Sequence, residues 1–253
     1  MFIINAQISE KIELGHNIFL FKMFCPEIAS SAEPGQFLNL RINETYFPLL
    51  RRPFSVCDIS GDHFYILFSP FGEGTKQLAK KSVGDNIDTH GPLGKGFNYK
   101  GEYETAVIVA GGLGSAPFPF VTRKINNKKD IISFVGGRSQ KDVITYGMEN
   151  VSTSTDDGSE GFEGTVVDLL ETKVDELKSK NVKVFGCGPT PMLKALQSFC
   201  SKNNFDCEIS TECAMACGFG ICQGCPIEQT EYKDQYLLVC SDGPVFNAKD
   251  VVL

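Results

Sequence analysis

No stretch of the sequence approaches the about 18 consecutive apolar residues that a membrane-spanning helix needs, so no such helix is expected. Positive charge is also short. Lys and Arg number 24 against 31 Asp and Glu, and the net charge of −7 argues against a nucleic-acid or anionic-membrane surface. The three histidines, His16, His63 and His90, are scattered among polar neighbours, and none is assigned a role. Neither a Ser/His/Asp arrangement nor a pair of carboxylates emerges, which leaves hydrolytic acid–base chemistry without support. Internal repeats and low-complexity tails are missing as well. The opening Met1-Phe2-Ile3-Ile4 runs into polar residues with neither a basic leader nor a small-residue cleavage site, so a cytoplasmic protein is expected. Tryptophan is absent, and that absence excludes nothing.

What is present is ordinary in bulk and unusual in one place. With 253 residues, 42% hydrophobic and 22% charged, the chain has room for two globular domains, or for one with an appendage. Ten cysteines in a chain this long do not read as a secreted disulfide scaffold, a pattern that belongs to short chains. Three of them fall in Cys217-Gly218-Phe219-Gly220-Ile221-Cys222-Gln223-Gly224-Cys225, spaced C-x4-C-x2-C, and Cys240 follows after fourteen residues. Four thiolates are what a 2Fe–2S cluster needs, and this is the plant-ferredoxin type of spacing. The glycines suit it. A loop wrapped around a cluster needs positive φ and close backbone N–H groups, and glycine supplies both at little steric cost. The competing reading is a structural zinc knuckle, or a set of buried cysteines. Zinc sites usually carry two short Cys pairs, whereas here the first gap is longer, the second cysteine is shared and the fourth stands alone. The spacing favours iron–sulfur. The other six, Cys25, Cys57, Cys187, Cys200, Cys207 and Cys213, are expected mostly as small buried hydrophobes.

From residue 2 to about 92 the pattern is β. Residues 17–24 are rich in aromatic and branched side chains, and residues 36–42 alternate apolar and polar. Residues 53–59 and 63–68 read as strands separated by the turn Ser60-Gly61-Asp62. Such spacing predicts an antiparallel β-barrel, interrupted by one short helix at about residues 75–81. From residue 104 onward strand and helix alternate. Residues 106–110, 130–136 and 182–186 read as strands, with helical stretches after Pro117 and from Pro189 to about Ser201, so a mostly parallel sheet is expected. Residues 152–164 read as loop, with room for a short strand at the start. The alternation stops beyond Cys207. The organisation expected is a barrel over residues 1–100, an α/β domain over 101–207 and a small cysteine lobe over 208–253.

Four short motifs bear on chemistry. Arg52-Pro53-Phe54-Ser55 stands at the start of a barrel strand. An arginine fork suits a pyrophosphate, an aromatic suits packing near a flavin ring, and a hydroxyl reaches its polar edge. The same residues also fit ordinary strand content. Gly72-Glu73-Gly74-Thr75 fits either a phosphate grip by backbone N–H groups or a plain glycine turn with a threonine N-cap. Gly111-Gly112-Leu113-Gly114 follows a buried strand and opens a helix, as a dinucleotide loop does, although it is not a G-x-G-x-x-G. Gly186-Cys187-Gly188-Pro189 ends a second strand, with Pro189 suited to a first helical turn. Ligands of open parallel sheets lie outside the carboxyl ends of strands, so the two turns are expected to face one crevice. Cys187 fits a nicotinamide contact or a small buried residue equally well. Arg138 and Ser139, after a strand, fit a 2′-phosphate contact or a solvated turn.

In order along the chain, these motifs together with Gly91-Pro92-Leu93-Gly94-Lys95-Gly96-Phe97 resemble the ferredoxin–NADP reductase superfamily. The tail from Met215 to Cys225, closed by Val239-Cys240-Ser241-Asp242-Gly243-Pro244-Val245-Phe246, is similar to the electron transfer subunits of class 1B dihydroorotate dehydrogenases. That resemblance implies an FAD-binding barrel, a Rossmann-like NAD-binding domain and a C-terminal 2Fe–2S lobe. It also implies a partner, a catalytic FMN subunit that oxidises dihydroorotate to orotate in pyrimidine biosynthesis, assembled as a heterotetramer of two plus two. By position it makes Cys217, Cys222, Cys225 and Cys240 the cluster ligands. Arg52, Pro53, Phe54 and Ser55 would line the FAD, with Leu67, Phe68, Ser69, Gly74 and Thr75. NAD(H) would meet Gly111, Gly112, Gly114, Cys187, Gly188 and Pro189. The chain departs from the family at Ser69, where arginine is common, and in the extra thiol of Cys213.

The implied chemistry is coherent. NADH gives up two electrons as hydride, an iron–sulfur cluster takes one at a time, and a flavin converts between them. An acceptor must then lie near the cluster, so the lobe is expected at a subunit interface, with Phe219, Ile221 and Val251-Val252-Leu253 as candidates for cover. Ile221 fits the lobe's own core nearly as well. Two other functions compete: the NAD(P)H-oxidising subunit of a sulfide dehydrogenase or ferredoxin oxidoreductase, and a zinc-stabilised binding module with no redox role.

Overall fold

Aromatic and β-branched residues recurring at short intervals build the first half of the chain into seven antiparallel strands. The computed structural model describes residues 1–15, 17–45, 47–126, 128–232 and 234–253, so His16 lies outside the described residues. The strands are β1 (Phe2–Gly15), β2 (Ile18–Phe24), β3 (Phe37–Arg41), β4 (Arg52–Ser55), β5 (Asp58–Ser60), β6 (His63–Phe68) and β7 (Asn86–Leu93). Helix α1 (Pro26–Ser31) and helix α2 (Glu73–Ala79) interrupt them. They form one sheet in the order β4-β3-β7-β1-β2-β6-β5. Its two edge strands, β4 and β5, are consecutive in the chain, so the expected barrel is a sheet curled into a half-barrel. Its interior is aromatic: the Phe68 ring meets Phe21 edge-on at 5.0 Å and Phe54 at 5.8 Å.

Residues 53–59 do not form the single strand that their composition suggests. Val56 and Cys57 turn a corner between β4 and β5: the Val56 N–H still bonds the Gln36 carbonyl on the β3 side (3.0 Å), while the Cys57 N–H bonds the Tyr65 carbonyl of β6 (2.8 Å), so the chain changes partner strand between them. Helix α2 starts earlier than expected because Gly72, not Thr75, is the N-cap. The Thr75 hydroxyl accepts the Gly72 N–H from inside the helix at 3.1 Å.

The second half alternates as expected: β8 (Thr105–Gly111), α3 (Phe118–Ile125), β9 (Asp130–Gly137), β10 (Val151–Thr155), β11 (Phe162–Glu163), α4 (Val166–Glu171), α5 (Val174–Lys178), β12 (Val182–Cys187), α6 (Thr190–Asn203) and β13 (Asp206–Ser210). The stretch 152–164 thus opens with a strand and adds a two-residue one. Every residue of β8 is buried, as a parallel strand covered on both faces should be. Val107 and Val109 pack with α4 and α6, while Ala106, Ile108 and Ala110 pack with α3.

The chain after β13 returns to the sheet. A small hairpin of β14 (Pro226–Glu228) and β15 (Tyr236–Leu238) is followed by β16 (Val245–Asn247), which pairs antiparallel with β13 and completes the order β11-β10-β9-β8-β12-β13-β16. Among the described residues no helix is long and apolar enough to cross a membrane. One buried charge network fastens half-barrel to sheet. Lys183 on β12 is almost wholly covered, with Nζ 2.8 Å from Glu208 and 3.5 Å from Asp206. The second Glu208 oxygen accepts the Asn98 N–H at 2.8 Å. Removing one partner strands the other's charge in a low dielectric, so Lys183→Ala should lower stability by about 3 kcal/mol. Urea unfolding followed by circular dichroism reads this directly.

Candidate redox site

The loop that leaves β13 carries three of the four thiols of interest. Its turns need unusual backbone, with φ of +80° at Gly218, +92° at Gly220 and +57° at Gln223. The Cys222 N–H points at the Cys217 sulfur, 3.5 Å away. Partial burial raises the Cys217 pKa, but the N–H groups of Cys222, Phe219 and Ile221 outweigh it and hold the thiol down to about 6. Cys225 and Cys240 form a second pair, both buried, with sulfurs 3.1 Å apart. Burial, reinforced by the neighbouring Cys225 thiol, pushes Cys240 up. Cys213 stands next to this pair, and burial followed by Cys225 raises its pKa to about 11.

A single tetrahedral metal ion needs four sulfurs roughly 3.8 Å apart around one centre. Among the described residues no three His, Cys, Asp or Glu side chains converge in that way. Two thiol pairs, with backbone N–H groups beside one of them, suit a dinuclear iron–sulfur centre instead.

On the half-barrel, Arg52 and the glycine turn come together. A Cβ at Gly74 would lie 3.2 Å from Arg52 Nε, so the glycine leaves that guanidinium its space. Pro53 sits on an edge strand, where a missing N–H costs no ladder bond, and one side of the β4 backbone has no strand beside it. Ser55 and Ser69 are half-buried. Phe54, Leu67 and Phe68 are core residues that stiffen these strands.

The parallel sheet reverses direction of growth between β8 and β12, and the two glycine turns lie at the carboxyl ends of these neighbours. Beside them opens a cavity of about 1040 Å³ whose walls include Ser69, Gly111, Gly112, Arg138 and Pro189. Gly114, Cys187 and Gly188 do not line it. They set its spacing, since a Cβ at Gly114 would overlap the Cys187 carbonyl. Burial, then the Glu212 carboxylate, pushes the Cys187 thiol up, so it stays protonated. Ser139 caps a short turn through Asp142.

Two residues beneath the cysteine loop escaped the sequence reading. Asn39 is fully buried, with Nδ2 3.5 Å from the Cys217 carbonyl, and the His90 ring meets Phe219 edge-on at 5.3 Å. The alternation around Asn39 suggested a solvent face. The face is instead covered by the loop, and no local pattern in residues 36–42 marks that. Of the residues expected to be covered by a partner, Val251 closes the lobe's own core, while Phe219 and Ile221 are exposed at 41% and 76%.

An antiparallel half-barrel joined to a parallel sheet with its crevice at the switch point defines a ferredoxin–NADP reductase-like electron-transfer protein. A solved structure of an NADH-dependent reduced ferredoxin-NADP oxidoreductase matches it with a TM-score of 0.87 at 25% identity, over 98% of this chain and 89% of that one. Phthalate dioxygenase reductase shares the fold more distantly, with a TM-score of 0.59 at 17% identity over 79% of this chain and 64% of that one. Residues 212–252 match the iron–sulfur cluster binding domain of dihydroorotate dehydrogenase B. The dihydroorotate dehydrogenase B (NAD(+)) electron transfer subunit of Caldanaerobacter subterraneus subsp. tengcongensis is 40% identical, with 87% of each chain covered. That of Desulforamulus reducens is 33% identical over 99% of this chain and 98% of its own. The chain belongs to the family of dihydroorotate dehydrogenase B electron transfer subunits. It is an oxidoreductase subunit that works with a catalytic partner.

The crevice geometry is open to a direct test. Gly114→Ala forces a methyl group into the Cys187 carbonyl and should cost about 1–3 kcal/mol, the usual scale for overpacking. A lowered thermal unfolding midpoint is the expected result.

Proposed function

We propose that this chain passes electrons between NAD(H) and a catalytic, FMN-containing dihydroorotate dehydrogenase subunit, through FAD and one 2Fe–2S cluster. In this reading two copies of each subunit form a heterotetramer that serves pyrimidine biosynthesis. One observation carries the proposal: three thiols on a glycine loop and Cys240 beyond the hairpin gather as two pairs inside the segment that matches a cluster-binding domain.

The residues divide the work. Cys217, Cys222, Cys225 and Cys240 hold the cluster. Arg52 meets the FAD pyrophosphate, with Gly74 and Thr75 beside it, and Ser55 and the open backbone edge of β4 face the ring. Phe54, Leu67 and Phe68 fix those strands from behind, with Pro53 and Ser69 at the margin. NAD(H) occupies the large cavity against Gly111, Gly112 and Pro189, which Gly114, Cys187 and Gly188 hold open. Bound FAD supplies the conversion of a two-electron hydride into single electrons. The chain's own task is to bind, orient and exclude water, and a buried, protonated Cys187 is in keeping with a site that needs no nucleophile.

The partner's place follows from where apolar surface is left. A hollow of about 490 Å³ beside the cysteine loop is walled by Met1, Ile3, Leu49, Leu50 and Phe219. Exposed apolar surface of that kind next to an electron exit suits a subunit interface.

Serine at each of the four cysteines should strip most of the iron and bleach the visible spectrum, while Cys200→Ser should leave both intact. Unchanged iron in Cys240→Ser would sink the ligand assignment. Alone, the chain should oxidise NADH with an artificial dye yet show no turnover of dihydroorotate. Adding the catalytic FMN subunit should restore NAD-linked orotate formation. Full dihydroorotate activity from this chain by itself would refute the proposal.

A further inference from the structure

Asn39 lies in the middle of β3 with no exposed surface, and half of its amide is unpaired. Oδ1 has no hydrogen-bond partner, while Nδ2 reaches the carbonyl oxygen of Cys217 at 3.5 Å. A buried polar oxygen left unpaired costs stability, so an amide between Leu38 and Leu40 requires a reason. The amide stands directly against the cysteine loop. A Cβ at Gly218 would lie 2.5 Å from Nδ2, so the peptide between Cys217 and Gly218 rests on the amide with no side chain between them.

The support continues behind it. The Asn39 carbonyl accepts from Arg51 Nη1 at 3.3 Å, and Arg51 Nη2 pairs with Asp88 at 2.7 Å. Across the sheet Asn39 faces Pro53 of β4 on one side and His90 of β7 on the other. The His90 ring in turn meets Phe219, two residues past Cys217, at 5.3 Å. Amide, guanidinium and imidazole therefore form a rigid floor under the first half of the loop, in register with the edge strand that carries Arg52 and Ser55.

That half of the loop brings the Cys222 N–H to the Cys217 sulfur. Hydrogen bonds to sulfur and solvent exposure are the protein's levers on the potential of an iron–sulfur centre. An N–H dipole aimed at a ligand sulfur favours the more negative, reduced state. Whatever fixes the loop fixes the potential.

We propose that Asn39 is a positioning residue for the iron–sulfur centre: its amide anchors the Cys217–Gly218 peptide to the half-barrel, keeps the loop's N–H groups on the Cys217 sulfur, and so raises the cluster's reduction potential. This inference rests on the assignment of Cys217 as a cluster ligand.

The test compares the full chain, loaded with FAD and cluster, with Asn39→Leu and Asn39→Thr. Leucine matches the amide in size and donates nothing, whereas threonine keeps a donor in a side chain suited to a strand. Redox titration would follow the cluster by electron paramagnetic resonance and the flavin by absorbance. Asn39→Leu should retain iron and flavin and leave the flavin midpoint unchanged. Its equilibrium constant for one-electron cluster reduction should fall at least about tenfold, or about 59 mV. Asn39→Thr should recover part of that loss. A fully loaded leucine variant with a constant within about twofold of the parent overturns the proposal. Loss of the cluster alone, with flavin and circular dichroism preserved, would make Asn39 a residue needed to hold the centre rather than to set its potential, and would overturn the proposal. Loss of flavin and folded structure in both variants would make Asn39 an ordinary core residue and overturn it. A parent chain that holds no iron removes the ligand assignment itself, a failure visible before any variant is made.

Discussion

Residues 94–96 and 243–244 approach one another so closely that the chain has no room for side chains between them. A Cβ at Gly94 would stand 2.5 Å from the Gly243 carbonyl and 2.7 Å from Pro244, and one at Gly96 would overlap the Pro34 carbonyl. The Lys95 N–H donates to that same Gly243 carbonyl at 2.5 Å. This contact locks the exit of the half-barrel onto the C-terminal segment, and the rest of the arrangement depends on it. With it in place, Cys240, three residues before Gly243, stands beside Cys225. The same segment continues into β16 and pairs with β13, so one short stretch joins half-barrel, parallel sheet and cysteine loop.

Buried charge reinforces that junction from other directions. Lys183 and Glu208 fasten the sheet to Asn98, and Asp58 on β5 takes two bonds from Arg123 on α3. Asp58 is almost inaccessible, and its carboxylate, which also accepts the Ile59 N–H, raises the Arg123 pKa by bonding that guanidinium. Ion pairs of this kind add less to net stability than to orientation, because desolvation offsets much of their attraction. Orientation is what a chain with several redox sites requires.

Much of this was legible in the sequence, and the exceptions share a cause. The glycine turns after β8 and β12 and the change from period-two to helix-and-strand rhythm are local patterns fixed by backbone sterics and burial. The corner at Val56 and Cys57 was not legible, because two apolar residues continue a strand pattern whether their N–H groups bond one partner strand or two. Asn39 and His90 escaped for a similar reason. A polar residue on alternating sequence reads as facing water, and only the fold reveals that the cysteine loop covers that face. β16 was invisible for want of length, since three residues carry no periodicity and owe their pairing to the contact at Gly243.

The partnership of residue 95 with residue 243 also bears on how the protein is made. A ribosome releases the half-barrel and most of the parallel sheet long before the segment that joins them exists. Until Val245–Asn247 emerges, β13 is a bare sheet edge of the kind that recruits strands from other chains. The nascent chain therefore passes through a vulnerable interval, in which its thiols Cys217, Cys222 and Cys225 are present and Cys240 is not yet seated. Seating of Cys240 beside Cys225 has to wait for the segment that carries Gly243.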